Sequence, residues 1–542
     1  MPEQSTRTTA QADGAPDEPR QQRGARNPRY RFAFSLTACF FACCLFNTLH
    51  HPMWRDEVRV WQICAASPTI AALHANLRYE GTPLLWYLIV WTITRFTSNV
   101  MAMQVVHCVI ASSVVFTFAL GAPFNRVAKI LFAFGYFPFF EYGTISRSYS
   151  LVFLLLLLGV AILSRPRPAP FLLGIAMVFL TQVSVWGVGL AGLMMIVGFF
   201  QWRTFAPPGS EAPLWRLITA SLVVLAAGVC CYFLLLPGPA DSLLTQLGDI
   251  PVTEKLTGTI GTIWDGWLPI PRWQPNFWNS NVLDPQPQLR CLLSLALLAI
   301  AVLCLLRTPV ALALLLGGLG GLMAFTYSQF FGYTRHHGHL FMVLIVAFWV
   351  SFQTRQCTPR PKWLADLTAR FSRQRANCLI ALLAVHAISG IGTNIAERFI
   401  PFSAGKEAAQ YIRREFPPDM VLIGSQDYCI SPIAAYLGRD LFSAEMNAFV
   451  PFATQNVDVR IRATHDSLLD DFQALYQLRN QDLLLAISGP RGLGEDEFET
   501  TASARGSAPA MTFHVKLLRN FALSNEPKES VRLYVVHRVK SG

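Results

Sequence analysis

FAFSLTACFFACCLFNTL, residues Phe32 to Leu49, followed directly by HHPMWRDE, residues His50 to Glu57, is the stretch that decides the fold. The apolar run is close to the ~20 residues that a helix needs to cross a bilayer. It ends in His-Pro and charge instead of a small-residue cleavage site, which reads as a retained helix and not as a signal peptide. Two adjacent carboxylates, Asp56 and Glu57, therefore sit beside Arg55 where a membrane helix meets water. Charge at that depth is either an anchor or chemistry, and an isolated pair is more often an anchor.

The composition extends the first helix to the whole chain. Of 542 residues, 53% are hydrophobic and 14% charged, with a mean hydropathy of +0.37, whereas soluble domains carry about 25% charged residues. The chain reads as a polytopic α-helical membrane protein. The net charge of +11 comes mainly from short connectors between apolar segments, where basic residues set membrane orientation, so nucleic acid is excluded as a partner. Most of the twelve cysteines lie inside apolar segments without CxxC spacing and read as small packing residues. Cys64 and Cys429 both fall on the exported side, where a disulfide between them is open.

Residues 1–30 are rich in Gln, Arg, Pro, Gly and Thr and predict a disordered cytoplasmic N-terminus. The membrane domain is expected over 31–396, with about 11 transmembrane helices at 31–50, 100–121, 127–144, 149–164, 170–184, 186–202, 215–236, 289–306, 309–330, 339–354 and 377–396. The apolar piece Leu84 to Phe96 is too short to cross and reads as interfacial or re-entrant. With it kept on one side, the basic connectors, including the stretch Arg355 to Arg375, all fall inside. The loops 50–99, 143–148, 237–288 and 331–338 are then exported. The Trp- and Pro-rich loop 237–288 suits a lid at headgroup level, and equally an aromatic belt. The exported 397–542 changes character to a small soluble α/β domain: helix over Gly405 to Phe416, strand over Met420 to Ile423, helix over Ile433 to Leu437, and strands over Leu483 to Ile487 and Arg532 to Val536. It contains no GxGxxG, P-loop or Ser/His/Asp spacing.

Four exported clusters hold the unusual residues: Arg55-Asp56-Glu57; Arg78-Tyr79-Glu80-Gly81-Thr82-Pro83-Leu84-Leu85-Trp86-Tyr87; Glu141 to Tyr149, with Arg147; and Tyr333 to His339, with Arg335, His336, His337 and His339. Each has a plain alternative. Arg147 could pair with Glu141, and an arginine at a helix end can snorkel to headgroups. Adjacent histidines cannot face one way on a helix, so a two-ligand site or none is favoured over three. Together, however, they put acids, arginines and histidines on one rim of the membrane. That set suits transfer from a lipid-linked phosphate donor. A carboxylate can take a proton from an acceptor hydroxyl, arginines can fork onto a phosphate leaving group, and Glu80 with a histidine can hold a divalent metal. A transporter or flippase for a lipid-linked glycan is the alternative, but there is no internal repeat and mid-span acids are nearly absent. An acyltransferase built on a buried histidine has only Arg335 to His339 behind it.

Trp54-Arg55-Asp56-Glu57 after the first span, Tyr79 to Tyr87, and Ser146-Arg147-Ser148-Tyr149 together resemble the GT-C membrane glycosyltransferases, in the protein O-mannosyltransferase and aminoarabinose-transferase branch (glycosyltransferase family 39-like). Motifs carry the resemblance over about 30–200, and the remainder follows in outline. The resemblance implies an enzyme that takes a hexosyl or pentosyl unit from a polyprenyl-phosphate donor, by inverting single displacement, to an acceptor lipid, glycan or protein. It implies a bacterial inner membrane, with the site and the C-terminal domain on the periplasmic side and membrane lipids as neighbours. Asp56 matches the family's essential first-loop acid, expected to act as base or to orient the acceptor; Glu57 is carried beside it as a catalytic candidate to which the resemblance gives no role of its own. Arg147, Tyr149 and Arg335 are expected at the donor phosphate. Glu80, His336 and His339 are the candidate set for a divalent metal ion, the one cofactor implied. Thr82 stands where many relatives have His or Lys before the proline, and Arg147 where other branches place an acid.

Overall fold

The computed structural model describes residues 28–204, 206, 209–236, 250–461, 463–489, 493, 495–504 and 510–539. The expected disorder over 1–30 lies outside these, except that Pro28 to Tyr30 already belong to a helix. The described α-helices are α1 (Pro28–His50), α2 (Arg55–Ala66), α3 (Ile70–Asn76), α4 (Leu84–Thr94), α5 (Met101–Gly121), α6 (Arg126–Ala133), α7 (Tyr149–Leu163), α8 (Pro170–Thr181), α9 (Val185–Phe199), α10 (Leu214–Leu234), α11 (Val252–Trp267), α12 (Pro287–Leu305), α13 (Pro309–Ser328), α14 (Thr334–Ser351), α15 (Lys362–Ala396), α16 (Gly405–Glu415), α17 (Asp427–Leu437) and α18 (His465–Arg479).

Among the described residues, seven helices are long and apolar enough to cross a membrane: α1, α5, α9 with its continuation to Thr204, α10, α12, α13 and α15. α7, α8 and α4 are apolar but shorter. This is a polytopic α-helical membrane protein with a C-terminal α/β part. α10 carries Leu222, Leu225, Tyr232 and Phe233 more than half exposed, which a helix tolerates only where lipid covers it. α14 is the opposite case. Its residues from Gly338 to Ser351 are all buried, as expected of a helix apolar on every side and enclosed by protein.

Two segments depart from the reading of the sequence for local reasons. The expected span 127–144 is broken into α6 and a π-helical turn, Tyr136–Glu141. Gly135 begins the break, and Pro138, which has no N–H to give a helix, sits inside the turn. The expected basic connector 355–375 is instead largely helix, because α15 runs 35 residues from Lys362, roughly 50 Å at about 1.5 Å per residue. In the loop 237–288, residues 237–249 lie outside the described part. The described remainder is packed onto the membrane helices. α11 packs against α12 and α14, Trp267 and Trp278 are buried, and Trp273 alone of the three is well exposed.

The C-terminal part is one seven-stranded sheet in the order β3-β2-β1-β4-β7-β6-β5, with β1 (Leu422–Ser425), β2 (Leu441–Ser443), β3 (Ala448–Val450), β4 (Leu483–Ser488), β5 (Glu497–Ala502), β6 (Met511–Phe521) and β7 (Val531–Arg538). β1 is parallel to both β2 and β4, and the other pairs are antiparallel. Helices cover both faces. Leu483, Leu485 and Ile487 pack with α18, while Leu484 and Ala486 pack with α16 and α17, so β4 reads as a continuous apolar run. Gln426, left-handed at φ 59, turns the chain from the carboxyl end of β1 into α17, and α17 packs on α2. In open α/β sheets that edge, where neighbouring strands lead off in opposite directions, is where ligands bind. Here it faces the membrane domain.

Candidate active site

α2 begins at Trp54, and its first turn is held from three directions. The Trp54 N–H donates to Glu57 Oε2 at 3.3 Å, half of a capping box. The Met53 N–H donates to Tyr436 Oη at 2.8 Å, and the Arg55 N–H to Glu529 Oε1 at 2.8 Å. One of the N–H groups that a helix start leaves without partners, that of Arg55, and the N–H of Met53 just before the helix are thus satisfied by the C-terminal part of the chain. That docking fixes the direction in which Asp56 and Glu57 point, and they point apart.

Glu57 is fully buried. Its Oε2 meets His51 Nε2 at 2.8 Å, and its Oε1 accepts from the Ser146 N–H at 2.5 Å. His51 Nδ1 meets Glu397 Oε1 at 2.5 Å. The chain Glu397, His51, Glu57, Ser146 ties the ends of α1 and α15 to α2 and to the loop before α7. Burial alone would lower the His51 pKa, but Glu397 and Glu57 outweigh it and raise it to about 10. Since that lies above the ordinary 6.5, the stability from this charge is complete below about pH 6.5 and is lost as pH rises through about 10. Thermal unfolding in detergent should show a steeper fall between pH 8 and 10.5 for the parent than for His51→Gln. Glu57→Ala, which takes one of two carboxylates from the buried His51 cation and leaves the Ser146 N–H without its acceptor, should cost about 1–3 kcal/mol, and a loss within about 0.5 kcal/mol, as for an ordinary surface change, would contradict this role.

Asp56 faces a cavity of about 730 Å³. Its carboxylate is 31% exposed, with Oδ2 at 2.7 Å from Arg147 Nη1 and 3.8 Å from Arg335 Nη2. Burial would push this carboxyl up, but Arg147, Arg335 and Arg55 hold it below the usual 3.8. Arg147 therefore pairs with Asp56 and not with Glu141. Glu141 accepts from Trp278 Nε1 at 3.0 Å and Tyr136 Oη at 3.2 Å. Tyr149 lines the same cavity, its ring 5.9 Å from the Arg147 guanidinium.

Arg335 opens α14, and its carbonyl accepts from Tyr142 Oη at 2.6 Å. Only glycine fits at 338, where a Cβ would collide with that same hydroxyl and with Phe137. The guanidinium lies 5.3 Å from the ring of Trp54, 5.3 Å from that of Trp278 and 4.5 Å from that of Tyr333. Such a box holds a cation by the ring faces and leaves its N–H groups unspent. Arg335 Nε is buried without a partner among the described residues.

The cavity wall combines charge with apolar surface. Arg59, Arg147, Arg335 and Lys255 stand against Asp56 and Glu80, while Val60, Trp86, Val183, Trp186, Phe325 and Phe330 supply the apolar side. Asp56, Arg59 and Val60 are spaced i, i+3, i+4, so one face of α2 lines it. Arg59 and Lys255 are residues that the sequence reading passed over.

The candidate metal set does not fit a divalent ion. Glu80 Oε1 accepts from Arg59 Nε at 2.7 Å and Nη2 at 2.5 Å, and Oε2 from Tyr87 Oη at 3.1 Å. His336 Nδ1 accepts from the Tyr333 N–H at 2.9 Å, which leaves the proton of the neutral ring on Nε2, where it cannot ligate. His339 is packed between Tyr149 and Trp186, with Nδ1 on the His336 carbonyl. Among the described residues no three His, Cys, Asp or Glu side chains are arranged to hold a metal ion. Cys64 and Cys429 are both free thiols. Cys64 donates to the Tyr87 carbonyl, while Cys429 lies 3.6 Å from Arg55 Nη1.

No protein-family model matches the sequence, and no curated protein does. Among solved structures, the chain is similar to ArnT from Cupriavidus metallidurans bound to undecaprenyl phosphate. The identity is 14% and the TM-score 0.40, over 93% of this chain and 98% of that one. It is also similar to the same protein in the apo state, at 13% identity and a TM-score of 0.37, over 94% of this chain and 98% of that one.

Proposed function

We propose that the protein is an integral-membrane glycosyltransferase that moves a sugar from a polyprenyl-phosphate donor to an acceptor hydroxyl on the exported, periplasmic face of a bacterial inner membrane. The observation that carries this reading is the Asp56, Arg147, Arg335 group. A carboxylate and two guanidinium groups share one amphiphilic cavity in which four cations stand against two carboxylates.

The reaction is an inverting single displacement. The acceptor oxygen forms a bond to the anomeric carbon, the bond from that carbon to the phosphate oxygen breaks, and the hydroxyl proton passes to Asp56. The phosphate, a singly charged diester in the donor, leaves as a monoester carrying about −1.5 to −2 at pH 7. Arg147 and Arg335 meet that growing charge, which makes their contribution larger in the transition state than in the ground state. Asp56 is clamped by Arg147 and is weakly basic in that state. A donor phosphate that takes the Arg147 N–H groups releases the clamp and raises the basicity of Asp56, so the base is active only when the donor is in place. Tyr149 packs beside Arg147 and orients it, and Glu57 positions α2. No step passes through a metal.

The test is direct. Protein in lipid nanodiscs, supplied with polyprenyl-phosphate sugars and an envelope glycan extract, should release polyprenyl phosphate and label the extract in equal amounts. Absence of release from every lipid-linked sugar of the envelope would overturn the reading.

A further inference from the structure

A second cavity of about 250 Å³ adjoins the first, between the start of α2 and the C-terminal part of the chain. It is slightly below the ~300 Å³ at which small-molecule sites usually begin, enough for one ring and not for an extended chain. Asp56, Arg59, Phe330, Arg335 and Gln455 line both cavities. Arg147 and Tyr149 line only the larger one, and Tyr333, Tyr428 and Ser431 only the smaller. The base is thus approached from two sides, with the phosphate-facing Arg147 on one of them.

We infer that the smaller cavity is the acceptor subsite, that the C-terminal α/β part supplies its outer wall through Tyr428, Ser431 and Gln455, and that it takes a neutral saccharide ring of a glycan. The inference rests on the reading of the larger cavity as the donor site. An inverting displacement needs the acceptor hydroxyl on the face of the sugar opposite the leaving phosphate, with the base in reach of both. Two chambers that meet at Asp56 meet that requirement, and the smaller one lacks Arg147.

Its chemistry fits sugar hydroxyls better than an anion. Of the three arginines in its lining, Arg59 is engaged with Glu80, the Arg55 guanidinium is turned onto Glu529 at 3.5 Å and Glu526 at 3.8 Å, and Arg335 is shared with the larger cavity, where the donor phosphate takes it. The remaining polar lining comes from Tyr333, Tyr428, Ser431 and Gln455. Ser431 Oγ donates to the Tyr428 carbonyl at 2.9 Å and keeps its acceptor capacity. Aromatic faces with a few placed hydrogen-bonding groups are the usual lining of a site that orients a polar ligand. The wall is mounted rigidly, because α17 is tied to α2 by Tyr436 Oη on the Met53 N–H and by Gln62 Nε2 on the Ser431 carbonyl at 3.4 Å.

Two measurements on full-length protein in nanodiscs test this. In transfer assays with the envelope glycan extract as acceptor, Tyr428→Ala and Ser431→Ala, which line only the smaller cavity, should each raise the half-saturating acceptor concentration about tenfold, the equivalent of about 1.4 kcal/mol. The half-saturating concentration of polyprenyl-phosphate sugar should change by less than about twofold. Arg147→Gln should do the reverse. If the two variants shift the donor value, or neither value, the acceptor assignment is overturned. Independently of turnover, saturation-transfer NMR with millimolar neutral methyl hexosides and hexosaminides should give signals with the parent that Tyr428→Ala loses. No signal with the parent overturns the subsite even where transfer occurs. Signal from a parent that transfers nothing sinks the glycosyltransferase reading and leaves a saccharide site.

Discussion

Asp56→Asn, inserted and folded like the parent, should lose about 10²–10⁴-fold in kcat, the range a positioned general base contributes. The amide keeps the shape of the carboxylate but has no charge with which to accept a proton. It also gives up the ion pair with Arg147 at 2.7 Å. The neighbouring pair Glu57 and His51 does not involve Asp56, so unfolding temperature should stay close to the parent's. Affinity for polyprenyl phosphate should hold or rise, because Arg147 no longer has an intramolecular carboxylate to compete with the ligand. Loss of turnover with retained binding separates a base from a scaffold residue. Normal turnover by the variant would remove Asp56 from the chemistry.

Removal of either arginine should be nearly as damaging, by another route. Arg147→Gln and Arg335→Gln should each lower kcat about 10²–10³-fold, as for loss of one donor aimed at developing charge. Arg335→Lys should recover little, since an ammonium lacks the planar fork and stacks poorly among Trp54, Trp278 and Tyr333. The two glutamine variants differ in their pH profiles. Arg147 is the foremost of the groups that hold the Asp56 carboxyl below 3.8 against burial. In Arg147→Gln the folded-state pKa of Asp56 therefore rises, and the acidic limb of kcat/KM should move to higher pH. An acidic limb that stays in place while kcat falls would mean that Arg147 acts on the phosphate alone.

Parts of this were legible in the chain, and their limits have physical causes. The apolar runs gave the membrane helices because a helix in lipid needs a continuous apolar surface. The break at 127–144 was written in Gly135 and Pro138. β4 could be read from Leu483 to Ile487 because a strand covered on both faces is apolar throughout, whereas β5, with Glu497 and Glu499 on an edge, has no such run. The division of labour between Asp56 and Glu57 was not legible. Neighbours on a helix are about 100° apart, so one must face away from the other, but only the packed structure says which. The i, i+3 relation of Asp56 and Arg59 was available as a signal. Glu80 was marked by its Gly-Thr-Pro turn, yet its partner Arg59 comes from another helix, and that pairing turned a candidate metal ligand into half of an ion pair. Tyr428, Ser431 and Gln455 reach the site through the docking of a sheet more than 370 positions along the chain from Asp56, and no local pattern records that.

The most direct test of lipid-linked sugar transfer is mass spectrometry of envelope glycans and polyprenyl-phosphate sugars in cells whose only copy of the protein carries Asp56→Asn. One polyprenyl-phosphate sugar should accumulate while one envelope glycan loses a single sugar residue of the same mass. Unchanged profiles of both, with the variant present in the membrane at the parent's level, would contradict it.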